Sequence, residues 1–199
     1  MQLLETIRYE AGQLVNISYH NQRLNRSRQE LFGQPDPWDL EELIVSIPDH
    51  VRPDQRYRCR VLYSEHGIDV VEFIPYSIRP VQSLKLVQAD DLNYAYKYAD
   101  RTELITLAKG SSADEIILVK NGLLTDTTYT NLALFDGNEW YTPHKPLLAG
   151  THRAALLATR RIIPERLSAD DLKYFQKIRL FNAMMNWEES PTLPISAIR

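Results

Sequence analysis

The sequence predicts a mixed α+β (α/β) fold in two lobes, and three observations lead there. Strand-like alternation and helix-like periodicity interleave along both halves of the 199 residues. The stretch from Pro75 to Pro80 reads as a linker, which sets a small lobe at residues 1–80 and a larger one at 81–199. The seven glycines are too scattered for a Rossmann fingerprint or a Walker loop, so the sheets are not those of a doubly wound nucleotide-binding domain.

The elements follow in order. Leu3 to Ile7 and Leu14 to Ser18 flank Glu10-Ala11-Gly12-Gln13 and read as a strand hairpin. Tyr19 to Phe32 reads as a helix, with Leu24, Leu31 and Phe32 on one side and Gly33 as its stop. Trp38 to Ile47 is a second helix, set off by the Pro35-Asp36-Pro37 break. Arg56 to Ser64 and Ile68 to Ile74 alternate about Glu65-His66-Gly67 and form a second hairpin. The second lobe opens with a strand at Leu84 to Val87 and a tyrosine-rich stretch around Lys97. A helix at Thr102 to Lys109, a continuous apolar strand at Glu115 to Val119 and strands at Asn131 to Phe135 and Glu139 to Thr142 come next. Thr151 to Arg161 is helical, with Ala154, Leu157 and Ala158 at helical spacing. Ser168 to Phe175 is a capped helix, with Asp171 three residues after Ser168, and Arg179 to Met184 is a closing strand.

Composition narrows the function classes. Hydrophobic content of 44% and charged content of 25% belong to an ordinary globular chain. A net charge of −3 does not favour nucleic acid or an anionic membrane surface. Cys59 is the sole cysteine, which excludes an intramolecular disulfide. The start, Met1-Gln2-Leu3-Leu4-Glu5, lacks the basic stretch and apolar run of a secretion signal, and no apolar segment approaches the roughly 20 residues needed to span a bilayer. The expected setting is a reducing cytoplasm. No His-x-x-x-His pair and no Gly-x-Ser-x-Gly elbow occur, so neither a metal site nor a serine hydrolase is expected. Schiff-base chemistry at a lysine remains open.

The run from Gly122 to Leu157 carries the strongest signal. It holds Asp126 on a strand hairpin, then Asn131, then Gly150-Thr151-His152-Arg153 leading into an apolar helix. A carboxylate of this kind suits an aromatic nitrogen, and a Gly-Thr helix entrance suits a phosphate. With a lysine upstream, these are the parts needed to hold pyridoxal phosphate.

Four segments, in order, carry a family resemblance. Leu4-Glu5-Thr6-Ile7 looks like a Phe-Glu-Thr strand. His20-Asn-Gln-Arg23-Leu24-Asn-Arg-Ser27 is similar to a His-x-x-Arg-Leu-x-x-Ser helix. Tyr96-Lys97-Tyr98 and the Gly122–Arg153 signature follow. Together they resemble the class IV aminotransferases, the fold-type IV pyridoxal phosphate enzymes, which include D-amino-acid and branched-chain aminotransferases and aminodeoxychorismate lyase. The resemblance implies a fold-type IV architecture with a shortened N-terminal lobe, because the chain starts directly at the Phe-Glu-Thr-like strand. It implies a homodimer acting on a small-molecule amino acid or aminodeoxychorismate-type substrate.

The resemblance also assigns residues. Lys97 would be the catalytic Schiff-base lysine, against the ordinary alternative of a solvated surface lysine. Asp126 stands where the family has glutamate and would hold the ring nitrogen; locally it also reads as a turn aspartate capping Thr127-Thr128. Arg23 would grip the phosphate, or is a solvated helix arginine beside Arg26 and Arg28. Gly150, Thr151 and His152 would offer a helix N-terminus to the same phosphate, or form a plain capped start. Asn182 falls near a second phosphate loop but lacks its usual Ser/Thr pair. Arg58 and Arg60, which alternate with Arg56 along one strand face, would read a substrate carboxylate or line a solvated edge. The implied activity is transamination. The alternatives are a lyase releasing pyruvate and 4-aminobenzoate, and a non-catalytic metabolite-binding relative.

Overall fold

The computed structural model describes residues 1–199 and divides into two compact units. The first is Met1–Ile78 with Tyr96–Asp100, and the second is Arg79–Ala95 with Arg101–Arg199. The expected boundary at residue 80 is close to the first crossing. The Lys97 segment, expected in the larger lobe, packs instead with the first unit.

The first unit is built on strands β1 (Leu3–Glu10), β2 (Gln13–Leu14), β3 (Tyr57–Ser64) and β4 (Gly67–Pro75), an antiparallel sheet in the order β2-β1-β3-β4. Alternation decides its faces: Leu3, Ile7, Tyr9, Tyr57, Cys59, Val61 and Tyr63 are buried together with Leu24 and Leu40. Helix α1 (Ile17–Phe32) supplies Leu24. It ends at Gly33, whose φ of 66° lets its N–H reach the carbonyls of Arg28 and Gln29. The helix starts at Ile17 instead of Tyr19, so the second arm of the expected first hairpin shrinks to two residues. Left-handed Asn16, at φ 58°, makes the turn. The second expected helix is also shorter, α2 at Leu40–Leu43. Asp39 caps it by accepting the Glu41 N–H at 2.9 Å, but Val45 and Ile47 lie exposed and the chain runs into Pro48.

The second unit contains a sheet in the order β5-β6-β7, from β5 (Leu84–Gln88), β6 (Glu115–Lys120) and β7 (Leu123–Thr127). A five-stranded sheet runs β10-β9-β8-β11-β12, from β8 (Asn131–Phe135), β9 (Trp140–Pro143), β10 (Ile163–Glu165), β11 (Lys177–Phe181) and β12 (Thr192–Pro194). Helices α3 (Thr102–Lys109) and α4 (Thr151–Ala158) complete it. Strand β8 separates two apolar clusters. Leu132 and Leu134 join Ile117, Leu124, Ile178 and Leu180, while Ala133 joins Leu156, Ile162, Phe181 and Trp187. In the second cluster the Arg179 guanidinium lies 4.6 Å from the Trp140 ring centre and 4.5 Å from that of Trp187. The expected helix at Ser168–Phe175 is a 3₁₀ turn over Asp170–Tyr174, held by Asp171 accepting from the Ser168 N–H at 2.8 Å and its hydroxyl at 2.6 Å.

Candidate active site

In the second unit the site begins with Asp126 on β7. Its carboxylate is 4% exposed and both oxygens are occupied. The Asn131 amide donates to Oδ1 at 2.7 Å and the Leu148 N–H donates to Oδ2 at 2.8 Å. The tight Thr127–Thr130 turn, closed by the Thr127 N–H to the Thr130 carbonyl at 2.9 Å, brings Asn131 back beside Asp126. Burial pushes the Asp126 carboxyl up to about 6. The Leu148 N–H, the Asn131 amide and the charge of Arg153 all act against that rise. Asn131 also donates to the Leu148 carbonyl at 3.0 Å, so it ties the strand to the loop that precedes α4.

Gly150 is the N-cap of α4 and has no side chain with which to bond its first-turn amides. Thr151 and His152 open the helix and are buried. His152 Nδ1 meets the carbonyl of Asn182 at 2.8 Å, and its ring packs edge-on against Phe181. Asn182 in turn accepts the Met184 N–H at 2.8 Å. Gly150, Thr151, His152 and Asn182 thus form one neighbourhood, linked to Asp126 through Asn131. Sequence reasoning left Arg153 out of it. That side chain is 8% exposed, donates Nη2 to the Pro143 carbonyl at 2.8 Å, and its buried Nε meets no acceptor.

The first unit holds a second polar cluster. Glu5 and His20 are fully buried and Arg23 is 8% exposed. Arg23 donates Nε to Glu5 Oε1 at 2.8 Å and Nη2 to Oε2 at 2.5 Å, and His20 Nδ1 lies 2.6 Å from Oε2. Burial pushes the Glu5 carboxyl up, but Arg23 and His20 outweigh it and hold it at about 2. His20 is held below its usual value, first by burial and further by the charges of Arg23 and Lys97, with Glu5 opposing. The fork expected to grip a phosphate is therefore placed on Glu5. Its sequence signal was a carboxylate at a core position of the Leu3, Glu5, Ile7, Tyr9 alternation. Lys97 is half-buried, and its carbonyl accepts the Leu4 N–H at 3.0 Å. Arg60 pairs with Glu72 at 2.8 Å, whereas the Nε of Arg58 is buried without an acceptor.

This architecture is that of the fold-type IV enzymes. The chain matches the family described as amino-transferase class IV over residues 2–189, and it belongs to that family. An uncharacterized protein of Haemophilus influenzae is 35% identical over 185 residues, 92% of this chain and 97% of that one. The crystal structure of a candidate 4-amino-4-deoxychorismate lyase from Haemophilus somnus is similar with a TM-score of 0.84 at 37% identity, covering 92% of this chain and 96% of that one. A candidate amino-acid aminotransferase from Mesorhizobium loti shares the fold, with a TM-score of 0.79 at 24% identity over 100% and 99% of the two chains. Enzymes of this family depend on pyridoxal phosphate and act on small molecules. No helix is long and apolar enough to cross a membrane.

Proposed function

We propose that this protein is a pyridoxal-phosphate-dependent, aminotransferase-like enzyme acting on an amino acid or related amine, as a cytoplasmic homodimer in which Lys97 would be the lysine that binds the cofactor aldehyde. The observation that carries this reading is Asp126, a buried carboxylate with a donor on each oxygen and a counter-charge in Arg153. Such a group suits a protonated pyridine nitrogen, and the N-terminus of α4 behind Gly150 suits a phosphate. The donor set therefore fits the cofactor. When bound, pyridoxal phosphate supplies an electron sink that lets a proton leave the carbon next to the substrate nitrogen.

Asp126 would hold a proton on the ring nitrogen. Its carboxyl at about 6 ionises readily beside a cation. Thr151 and His152 would present N–H groups to the phosphate, with Gly150 leaving room for the Asn131 side chain and Asn182 fixing the His152 ring. Arg23, which grips Glu5 through Nε and Nη2, would contact the phosphate. The Lys97 amine would carry the proton from the substrate carbon. Arg58 and Arg60 would read a substrate carboxylate.

The 37% identity to the Haemophilus somnus protein along nearly all of its length favours a second reading. There the same groups would release pyruvate and 4-aminobenzoate from aminodeoxychorismate. The deciding experiment adds pyridoxal phosphate to the purified protein and reduces it with borohydride. A visible band that bleaches, with label fixed on Lys97, supports the proposal, and a protein that gains no band overturns it. Bleaching by amino acids without pyruvate release marks the transaminase, and pyruvate release from aminodeoxychorismate marks the lyase.

A further inference from the structure

Strands β7 and β8 lie in different sheets, and the residues between them pass the chain from one sheet to the other. Asp126 stands on β7, in the three-stranded sheet, whereas the entrance of α4 follows β9, in the five-stranded sheet. The Thr127–Thr130 turn therefore helps to set how the buried carboxylate stands against the helix entrance. This turn closes on itself. Besides the Thr127 N–H to Thr130 carbonyl bond, the Thr130 N–H meets the Thr127 hydroxyl at 3.0 Å and the two hydroxyls meet at 2.7 Å.

It is also held from outside, at a residue that those closing bonds leave out. The antiparallel register that sets Ile117 against Thr127 carries Glu115, the first residue of β6, alongside the turn. Thr128 donates its N–H to Glu115 Oε1 at 3.3 Å and its hydroxyl to Oε2 at 2.9 Å. Arg101 donates Nη2 to the Thr128 carbonyl at 2.6 Å, so both backbone groups of Thr128 and its hydroxyl are taken. From the other sheet Asn182, which follows β11, donates its side-chain amide to the Tyr129 carbonyl at 3.3 Å. The Asn182 backbone carbonyl meets His152 Nδ1 on α4 at 2.8 Å. A side chain from each sheet thus grips one turn.

Glu115 is 4% exposed, and the donors it meets are neutral: the Thr128 amide, the Thr128 hydroxyl and the Ile116 N–H, the last at 2.9 Å. A buried carboxylate among neutral donors is an expensive way to close a turn that already closes itself. What it adds is orientation. Two rigidly spaced acceptor oxygens take both donors of one residue and fix that residue against β6.

We propose that Glu115 is a positioning residue of the cofactor cradle. Through Thr128 it fixes the turn that sets Asp126 and Asn131 against the entrance of α4. It touches no reacting atom, and the inference rests on the cofactor-dependent function proposed above.

The test compares two full-length variants that each lose one hydroxyl. Thr128→Val removes the bond to Glu115, and Thr125→Val removes a bond to the Leu118 carbonyl in the same sheet. Each is titrated with pyridoxal phosphate and followed by absorbance. Thr128→Val is expected to weaken binding about tenfold or more, Thr128→Ser to restore it, and Thr125→Val to leave it within about twofold of wild type. Glu115→Gln is expected to follow Thr128→Val, because a carboxamide has a single acceptor oxygen where three donors converge. Binding that Thr128→Val leaves unchanged, or weakens no more than Thr125→Val does, overturns the inference.

A second measurement needs neither a variant nor the cofactor. In the wild-type protein the Thr128 and Leu148 amides are expected to exchange through one opening event, because the first is bound to Glu115 and the second to Asp126. A Thr128 amide that opens while Leu148 stays protected overturns the coupling. A wild-type protein that gains no visible band sinks the cofactor-dependent function and the cradle with it. A normal band with Thr128→Val indistinguishable from wild type sinks this inference alone.

Discussion

Asn131 fills the space that a side chain at residue 150 would need. A Cβ built on Gly150 would lie 2.0 Å from Asn131 Oδ1 and 3.1 Å from its Cγ. The φ of −70° at Gly150 is open to any residue, so it is this close approach that demands glycine. Gly150→Ala is expected to displace the Asn131 amide from Asp126 and to cost about 1–3 kcal/mol of stability. Chemical unfolding measures the cost, and a weakened affinity for added pyridoxal phosphate reports the disturbed site.

Asp126 gives stability an inverted pH dependence. The folded chain holds its proton up to about 6, against 3.8 for an ordinary aspartate, so the unfolded chain releases the proton first. The contribution is full below about pH 4 and falls as pH rises through 6. Relative to Asp126→Asn, the cofactor-free wild-type protein is expected to lose about 3 kcal/mol across that window. Urea titrations at a series of pH values test this, and parallel curves for the two proteins would refute it.

Glu5 works in the other direction. Its carboxyl is held at about 2 against 4.5, so its contribution is present above 4.5 and is lost as pH falls toward 2. His20, held below 6.5, adds a loss as pH falls through that value. Glu5→Gln leaves the Arg23 guanidinium buried without its counter-charge and is expected to cost about 3–5 kcal/mol. The variant should also lose the acid-limb sensitivity of the wild type, read from the same titrations.

Lys97→Ala separates chemistry from architecture. The bond to the Leu4 N–H comes from the residue 97 carbonyl, which the substitution keeps. Unfolding free energy should stay within about 1 kcal/mol of wild type. Turnover should fall by about 10³-fold or more, and borohydride should fix no label.

Trp187 tests the packing of the second unit. Removing it strips one wall from Arg179 and the edge-on partner of Trp140, 5.3 Å away. Trp187→Ala is expected to cost about 3–5 kcal/mol, measured by thermal unfolding.

Much of the framework was legible because alternation is a strong signal where one sheet face is dry. Leu3 and Ile7 announced β1, and the Glu65-His66-Gly67 turn announced β3 and β4. The two functional helices were harder to bound for the opposite reason. α1 buries His20, Arg23, Ser27 and Arg28 beside Leu24, and α4 buries Thr151, His152 and Arg153 beside Leu156. A helix that turns polar side chains inward breaks the apolar stripe by which sequence reading places it, and sites are where such breaks occur. Strands β10 and β12, three residues each and both containing proline, left no periodicity to detect. Asp126, Asn131 and Gly150 were visible as a motif, but nothing in the sequence linked Glu5 to Arg23 across eighteen positions.

The bridge that joins residues 97–99 to Gln2, Leu3 and Leu4 has a consequence for how the chain is made. The upper edge of β1 is satisfied by residues synthesised more than ninety positions later. A nascent chain of the first 78 residues would carry that edge bare, with Leu3 and Leu4 exposed to any other strand that passed. The segment that brings the lysine also seals this edge, so an emerging chain stays vulnerable to aggregation until Lys97 is in place, and the slow, long-range closure of this pairing is expected to set the pace of folding for the first unit.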